Sequence, residues 1–338
     1  MPVQYYRYDK PFTLESGVTL PELTIAYHTF GTRREDNVLW VCHALTANSD
    51  VADWWPHTVE NGKFLDPERY FTVCANILGS HYGTTGPLSL NPTTGQPYYG
   101  DFPFFTLRDI ARVHLLLADY LGIQHVRTLM GSSIGGYQAQ EMALLRPGFA
   151  QSLILIATAA RNTPWTIAWN ESQRMAIEAD ASWGEPSPQA GIRGMSVARS
   201  MGLLSYRGCA AYNATQQEID DPDKTQGFRA CSYQRYQGEK LCRRFNAYSY
   251  YRISQAFDSH NIGRDRGGVE KALASLTLPT LVIGISSDLI FPVEEQRYLH
   301  DHLPNSRFEI IDSSFGHDGF LVEHQQLDAL LGPFIRSL

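Results

Sequence analysis

The sequence predicts an α/β protein: a mostly parallel sheet flanked by helices, carrying an inserted helical lid. Three observations lead there. Apolar runs of strand length alternate with helical periodicity through the first 160 residues. No buried strand is legible over residues 165–268, where helical stretches mixed with aromatics and arginines take over. Strand character then returns at 280–285 and 307–311, ahead of a closing helix. The chain therefore divides into a first core part (1–160), a helical insertion (161–276) and a second core part (277–338).

The elements follow in order. Residues 23–30 alternate in polarity and stop at Gly31, as an early antiparallel strand should. Residues 37–43 form a continuous apolar run, expected of a strand buried on both faces, and open into the loop Ala44-Leu45-Thr46-Ala47-Asn48. A third strand at 69–76 leads to a loop from Gly79 to Pro87. Ile110, Val113, Leu116, Leu117 and Tyr120 recur at helical spacing and end at Gly122. Then comes the stretch that organises the chain, in which an apolar run from His125 meets Gly131-Ser132-Ser133-Ile134-Gly135 and turns at once into a helix closed before Pro147. A strand at 153–157 completes the first core part. The insertion shows helical stretches at 169–179, 191–205 and 245–257, and the last helix covers about 325–335.

Composition narrows the function classes. Hydrophobic residues at 43% and charged residues at 19% fit a globular enzyme. A net charge of −7 argues against nucleic-acid partners and a polybasic membrane surface, so an anionic cofactor would need a local basic patch. No apolar run reaches the roughly twenty residues of a membrane span. The first residues lack the apolar core of a secretory signal. Five scattered cysteines (Cys42, Cys74, Cys209, Cys231, Cys242) without a C-x-x-C pair read as reduced thiols of a cytoplasmic protein, and no metal site is expected.

The chemistry centres on Ser133. Glycine-flanked serine between strand and helix is the nucleophile elbow, which leaves the hydroxyl exposed above the sheet. Such a serine needs a base and an acid that orients the base. In the α/β-hydrolase arrangement these follow in the chain order Ser, Asp or Glu, His, each on a loop after a strand. Strand 280–285 runs into Ser286-Ser287-Asp288, and strand 307–311 into Phe315-Gly316-His317-Asp318, which nominates Asp288 and His317. Asp318 adjoins the base on a turn and is poorly placed to reach its Nδ1. His43 precedes the nucleophile, and His300, His302 and His324 fall in or beside helices. One oxyanion donor is expected at Ile134 N–H, the other from the loop after residues 37–43.

A collinear series of motifs then resembles the homoserine O-acetyltransferases, α/β-hydrolase-fold enzymes of methionine biosynthesis. It runs through His43-Ala44-Leu45-Thr46, Trp54-Trp55, Asn76-Ile77-Leu78-Gly79, Gly83-Thr84-Thr85-Gly86-Pro87, Asn91-Pro92, Gly100-Asp101-Phe102-Pro103, Arg108-Asp109 and the Ser133 elbow. In the insertion, Ala198-Arg199-Ser200-Met201 with Tyr206 and the stretch Arg244-Phe245-Asn246-Ala247-Tyr248-Ser249-Tyr250 match two lid signatures, and Gly316-His317-Asp318 matches the histidine loop. Three departures stand out. Asn246 replaces the usual aspartate, Gly79-Ser80-His81-Tyr82 lacks the usual second glycine and cysteine, and Thr46-Ala47-Asn48 replaces Thr-Gly-Asp.

The resemblance implies ping-pong transfer of an acetyl group from acetyl-CoA, a co-substrate rather than a resident cofactor, through acyl-Ser133 to the hydroxyl of L-homoserine. Leu45 becomes the second oxyanion donor on spacing and resemblance together. Arg199 suits the carboxylate of homoserine, Tyr206 adds a hydrogen bond two helical turns on, and Asp318 suits the ammonium. The resemblance and the aromatic-rich insertion also imply a homodimer through the lid helices, especially residues 246–257. Alternatives on the same scaffold are a homoserine O-succinyltransferase using succinyl-CoA, a serine O-acyltransferase and a serine esterase. A catalytically dead binding module fits less well, since every triad position is filled.

Overall fold

The computed structural model describes residues 2–337. Eight strands form the main sheet: β1 (Gln4–Tyr8), β2 (Leu23–Phe30), β3 (Val38–Cys42), β4 (Phe71–Ala75), β5 (Thr128–Ser132), β6 (Leu153–Ile156), β7 (Thr280–Ile285) and β8 (Ser306–Ile311). Their spatial order is β1-β2-β4-β3-β5-β6-β7-β8. β1 and β2 pair antiparallel, as do β2 and β4, and every pairing from β4 to β8 is parallel. This is the α/β-hydrolase architecture. Every residue of β3, β5, β6 and β7 is buried, because helices cover both faces there.

The sequence reading missed β1 and a two-stranded ribbon, Phe12–Thr13 with Thr19–Leu20. β1 reads Gln-Tyr-Tyr-Arg-Tyr, so its alternation of half-buried and exposed tyrosines carries little apolar contrast. As an edge strand it needs only one partner.

Two helices set Ser133, the candidate nucleophile. α1 (Leu107–Tyr120) starts from a capping box in which Thr106 Oγ1 accepts the Asp109 N–H at 3.2 Å and Asp109 Oδ2 accepts the Thr106 N–H at 3.1 Å. α2 (Ile134–Leu145) is buried from Ile134 to Ala143 between α1 and the sheet.

Between β6 and β7 the chain runs through helices alone: α3 (Pro164–Glu178), α4 (Ile192–Tyr206), α5 (Cys209–Gln216), α6 (Arg229–Cys242), α7 (Ala247–Asp258) and α8 (Val269–Ala274). α4 packs against α3 on one side and α6 on the other. α7 opens on Asn246, whose Oδ1 accepts the Ser249 N–H at 2.8 Å. It buries eight of its twelve residues within this same chain, so the apolar surface expected to pair two chains at 246–257 is already taken. α9 (Val293–His302) and α10 (His324–Arg336) complete the second core part.

The segment after α7 is clamped to the nucleophile helix by charge. Glu141 on α2, almost fully buried, accepts from both terminal nitrogens of Arg266 at 3.1 and 2.6 Å and lies 3.5 Å from Arg108 Nε. Glu15 in the ribbon turn binds Arg108 and Arg264 at 2.8 and 2.7 Å. Removing Glu141 strands the poorly solvated Arg266 guanidinium and takes from Arg108 one of its carboxylate partners. Glu141→Ala should therefore cost roughly 3 kcal/mol of stability, read as a lower urea midpoint. An unchanged midpoint would show that water already compensates these charges.

Candidate active site

Because the strands from β3 to β8 run parallel, the loops after β3, β5, β7 and β8 all emerge at one edge of the sheet. The site is assembled there. Ser133 joins β5 to α2 with φ 57° and ψ −129°, a backbone state costing about 1–3 kcal/mol for a residue with a side chain. Close packing holds it. A Cβ on Gly131 would lie 2.1 Å from the Gly135 carbonyl oxygen, and one on Gly135 would lie 2.1 Å from the carbonyl oxygen of Cys42. Thr158 Oγ1 donates to the Ser133 carbonyl at 2.8 Å, and the Ser133 N–H donates to Ile156 O at 3.0 Å.

His317 lies on a single helical turn after β8, buried among the rings of Tyr206, Phe291 and Phe320. Its Nδ1 is 2.6 Å from Asp288 Oδ2. The other carboxylate oxygen of Asp288 accepts the N–H groups of Ile290 and Phe291 at 2.8 and 2.9 Å. With the Asp288 oxygen as acceptor, Nδ1 is the donor of this bond and Nε2 keeps its lone pair. Burial pulls the His317 pKa down, but the charge and hydrogen bond of Asp288, with Asp318 behind them, raise it above the ordinary 6.5.

Leu45, Ser133, Arg199, Tyr206, His317 and Asp318 all line one cavity of about 450 Å³. Asp288 stands behind His317. Ile134 begins α2, where an N–H has no partner within its own helix. The Arg199 guanidinium sits 5.5 Å from the centre of the Tyr206 ring, as their spacing on one helix face requires. Asp318 is not a lone carboxylate, because Arg207 Nε approaches its Oδ2 at 3.0 Å. Burial raises the Asp318 pKa, against the pull of Arg207, Arg199 and His317.

Several contributors escaped the sequence reading. His43, set aside as a base, is fully buried and held neutral by burial, with its pKa lowered to about 4. Its Nε2 accepts the Ile77 N–H at 3.1 Å and its Nδ1 donates to Ala44 O at 2.8 Å, while Gln138 of α2 donates to its carbonyl at 3.1 Å. It thus ties the loop after β3 to the nucleophile helix. Trp54 reaches the cavity while Trp55 packs in the core, donating to Phe320 O at 2.8 Å. Asp53, Lys240 and Arg244 line the cavity as well.

A family description of the alpha/beta hydrolase fold matches residues 37–324. The homoserine O-acetyltransferase of Cyclobacterium marinum is 44% identical over 324 residues, spanning 95% of this chain and 92% of that protein. That of Chlorobium chlorochromatii is 40% identical, spanning 99% of this chain and 95% of the relative. The chain belongs to the homoserine O-acetyltransferase family. The crystal structure of the homoserine O-acetyltransferase from Bacillus anthracis superposes with a TM-score of 0.91 at 26% identity, covering 99% of this chain and 98% of that one. Esterase E22 shares the fold with a TM-score of 0.89 at 23% identity over 99% of this chain and all of its own.

The departures from the homoserine O-acetyltransferase pattern meet in space. Asn246 Nδ2 lies 3.0 Å from His81 Nδ1. Next to it, Arg244 donates to Thr46 O and to the Tyr82 hydroxyl, each at 2.6 Å. All three variant stretches therefore belong to a single junction between the lid and two core loops.

The raised pKa of His317 has a definite sign. An imidazole that must be neutral to accept a proton loses function as pH falls through its pKa, so the acid limb should lie above pH 6.5. Proton NMR of the His317 ring should show titration above that value in the wild type and at lower pH in Asp288→Asn. Equal midpoints in the two proteins would mean that Asp288 does not set the base.

Proposed function

We propose that this protein transfers an acetyl group from acetyl-CoA to the hydroxyl of L-homoserine through an acyl-Ser133 intermediate, serving methionine biosynthesis in the cytoplasm. The observation that carries the reading is the near-full-length identity to homoserine O-acetyltransferases, with the serine, the imidazole and a candidate amino-acid clamp in one cavity.

In the first half-reaction Ser133 Oγ attacks the thioester carbonyl and gives its proton to His317 Nε2. The developing oxyanion is met by the N–H groups of Ile134 and Leu45, a form of stabilisation worth about 100-fold or more in rate per donor. The carbon–sulfur bond breaks, and CoA leaves as a thiol carrying the proton from His317. In the second half-reaction His317 takes the hydroxyl proton of homoserine, whose oxygen attacks the acyl carbon. The bond from that carbon to Ser133 Oγ then breaks, Oγ takes the proton back from His317, and O-acetylhomoserine leaves. Asp288 keeps the imidazole oriented throughout.

Homoserine brings a carboxylate and an ammonium. Arg199 can bind the carboxylate as a fork, with Tyr206 beside it, and Asp318 can receive the ammonium. The Arg207 contact steadies Asp318 and shares its charge, which leaves room for a second cation on the same carboxylate. For a homodimer, the outer face of α4 is the better surface: Val197 and Leu204, seven residues apart, are both about half exposed, and Phe228 at the start of α6 is exposed too.

Ser133→Ala should abolish transfer, and wild type given acetyl-CoA alone should gain one acetyl mass on the Ser133 peptide. Label on another residue would sink the assignment, and a faster reaction with succinyl-CoA would change the donor. Arg199→Ala and Asp318→Asn should acquire the acetyl group at nearly the wild-type rate but pass it on about 30-fold to several thousand-fold more slowly, the equivalent of roughly 2–5 kcal/mol. Pre-steady-state acylation measured apart from transfer to homoserine separates the two steps. If both fall together, these residues support the triad instead. Light scattering should give twice the chain mass, and Leu204→Asp should return it to one.

A further inference from the structure

The lid carries a concentration of positive charge that the chain as a whole does not. Against a net charge of −7, α4 and residues 229–244 together hold seven arginines and lysines and one carboxylate, Glu239. Elsewhere cations are largely spent on ion pairs, as at Arg108, Arg174, Arg264 and Arg266. None of the seven lid cations forms an ion pair among the described residues, although Glu239 stands four residues from both Arg235 and Arg243.

Two of the seven line the catalytic cavity from its solvent side. Lys240 in the last turn of α6 and Arg244 just beyond it are both exposed, whereas Ser133 and His317 at the inner end are buried. Arg244 is held by neutral acceptors alone, Thr46 O, the Tyr82 hydroxyl and, at 3.5 Å, Thr46 Oγ1, so its position is fixed while its charge stays uncompensated. Lys240 has no hydrogen-bond partner among the described residues. The carboxylate at this rim, Asp53, accepts from Asn48 Nδ2 at 2.9 Å. A thioester carbonyl at buried Ser133 would run its pantetheine arm outward through this cavity of about 450 Å³ and bring the nucleotide end to the exposed rim.

We propose that Lys240 and Arg244 form the docking site for the phosphate groups at the nucleotide end of an acyl-CoA donor. The proposal rests on the acyl-CoA reading above and supplies the local basic patch that an acidic chain needs for such a ligand. Arg244 presents its remaining donors to a phosphate oxygen, and Lys240 adds a mobile point charge. Their joint field also draws a polyanion toward the mouth, so binding weakens as salt rises.

Calorimetric titration of the full chain with CoA and with pantetheine, which lacks the phosphates, tests this directly. Lys240→Glu should weaken CoA binding about tenfold or more, because a favourable contact becomes a like-charge one, and should leave pantetheine binding within about twofold. Lys240→Arg should bind CoA like the wild type. Added inorganic phosphate should compete with CoA and not with pantetheine. Unchanged CoA affinity in Lys240→Glu, or parallel losses for CoA and pantetheine, would overturn the assignment. A wild type that shows the CoA pattern but never acylates homoserine would refute the transferase reading and leave the phosphate site standing. Active transfer with Lys240→Glu indistinguishable from wild type in CoA binding would do the reverse.

Discussion

The site depends on how closely α2 approaches the end of β3. Gly135 lies so near the Cys42 carbonyl that a single methyl group would not fit. That contact keeps Ser133 in a backbone conformation that residues with side chains avoid, and the sheet carries the strain. The strain costs little against a core that buries whole strands on both faces. It presents the hydroxyl above the carboxyl edge, where the remaining loops arrive by topology alone. His43 belongs to the same arrangement. Neutral and buried, it fastens the loop after β3 to the base of the elbow, so nucleophile and loop move as one piece.

Charge is graded along the cavity. At the inner end Asp288 is satisfied by an imidazole and two backbone N–H groups, a closed set that asks nothing of the solvent. One step outward Asp318 shares its charge with Arg207 while Arg199 stands near. At the rim the balance becomes cationic. A zwitterion and a polyanion would therefore meet different fields at different depths of one cavity, and a donor and an acceptor could be sorted without a second pocket.

Much of this was legible in the sequence where the physics is local. Glycines around Ser133 report a steric demand, and continuous apolar runs report strands buried on both faces. Asp288 and His317 were nominated because each follows a strand whose end the topology fixes, and the structure sets them 2.6 Å apart. What escaped depends on contacts between distant segments. Arg207 meets Asp318 across 111 positions of sequence. The polar helices α5 and α6 have weak apolar stripes and gain their helicity from neighbours in the lid. The aromatic face of α7 was read as surface for a partner chain, because a sequence shows that a helix is apolar without showing which molecule covers it.

The bond from Arg244 to the Thr46 carbonyl has a mechanical consequence. The lid is pinned to the loop that would supply one oxyanion donor, so a lid that swung wide would pull that loop out of register. With that tie intact, ligands would thread through a fixed aperture rather than enter beneath a lifted cover. Exclusion by girth would come built into the fold, with no moving part. Substitutions at this tie would register as slower chemistry even with the triad positions intact, because loosening the cover also detunes the catalyst.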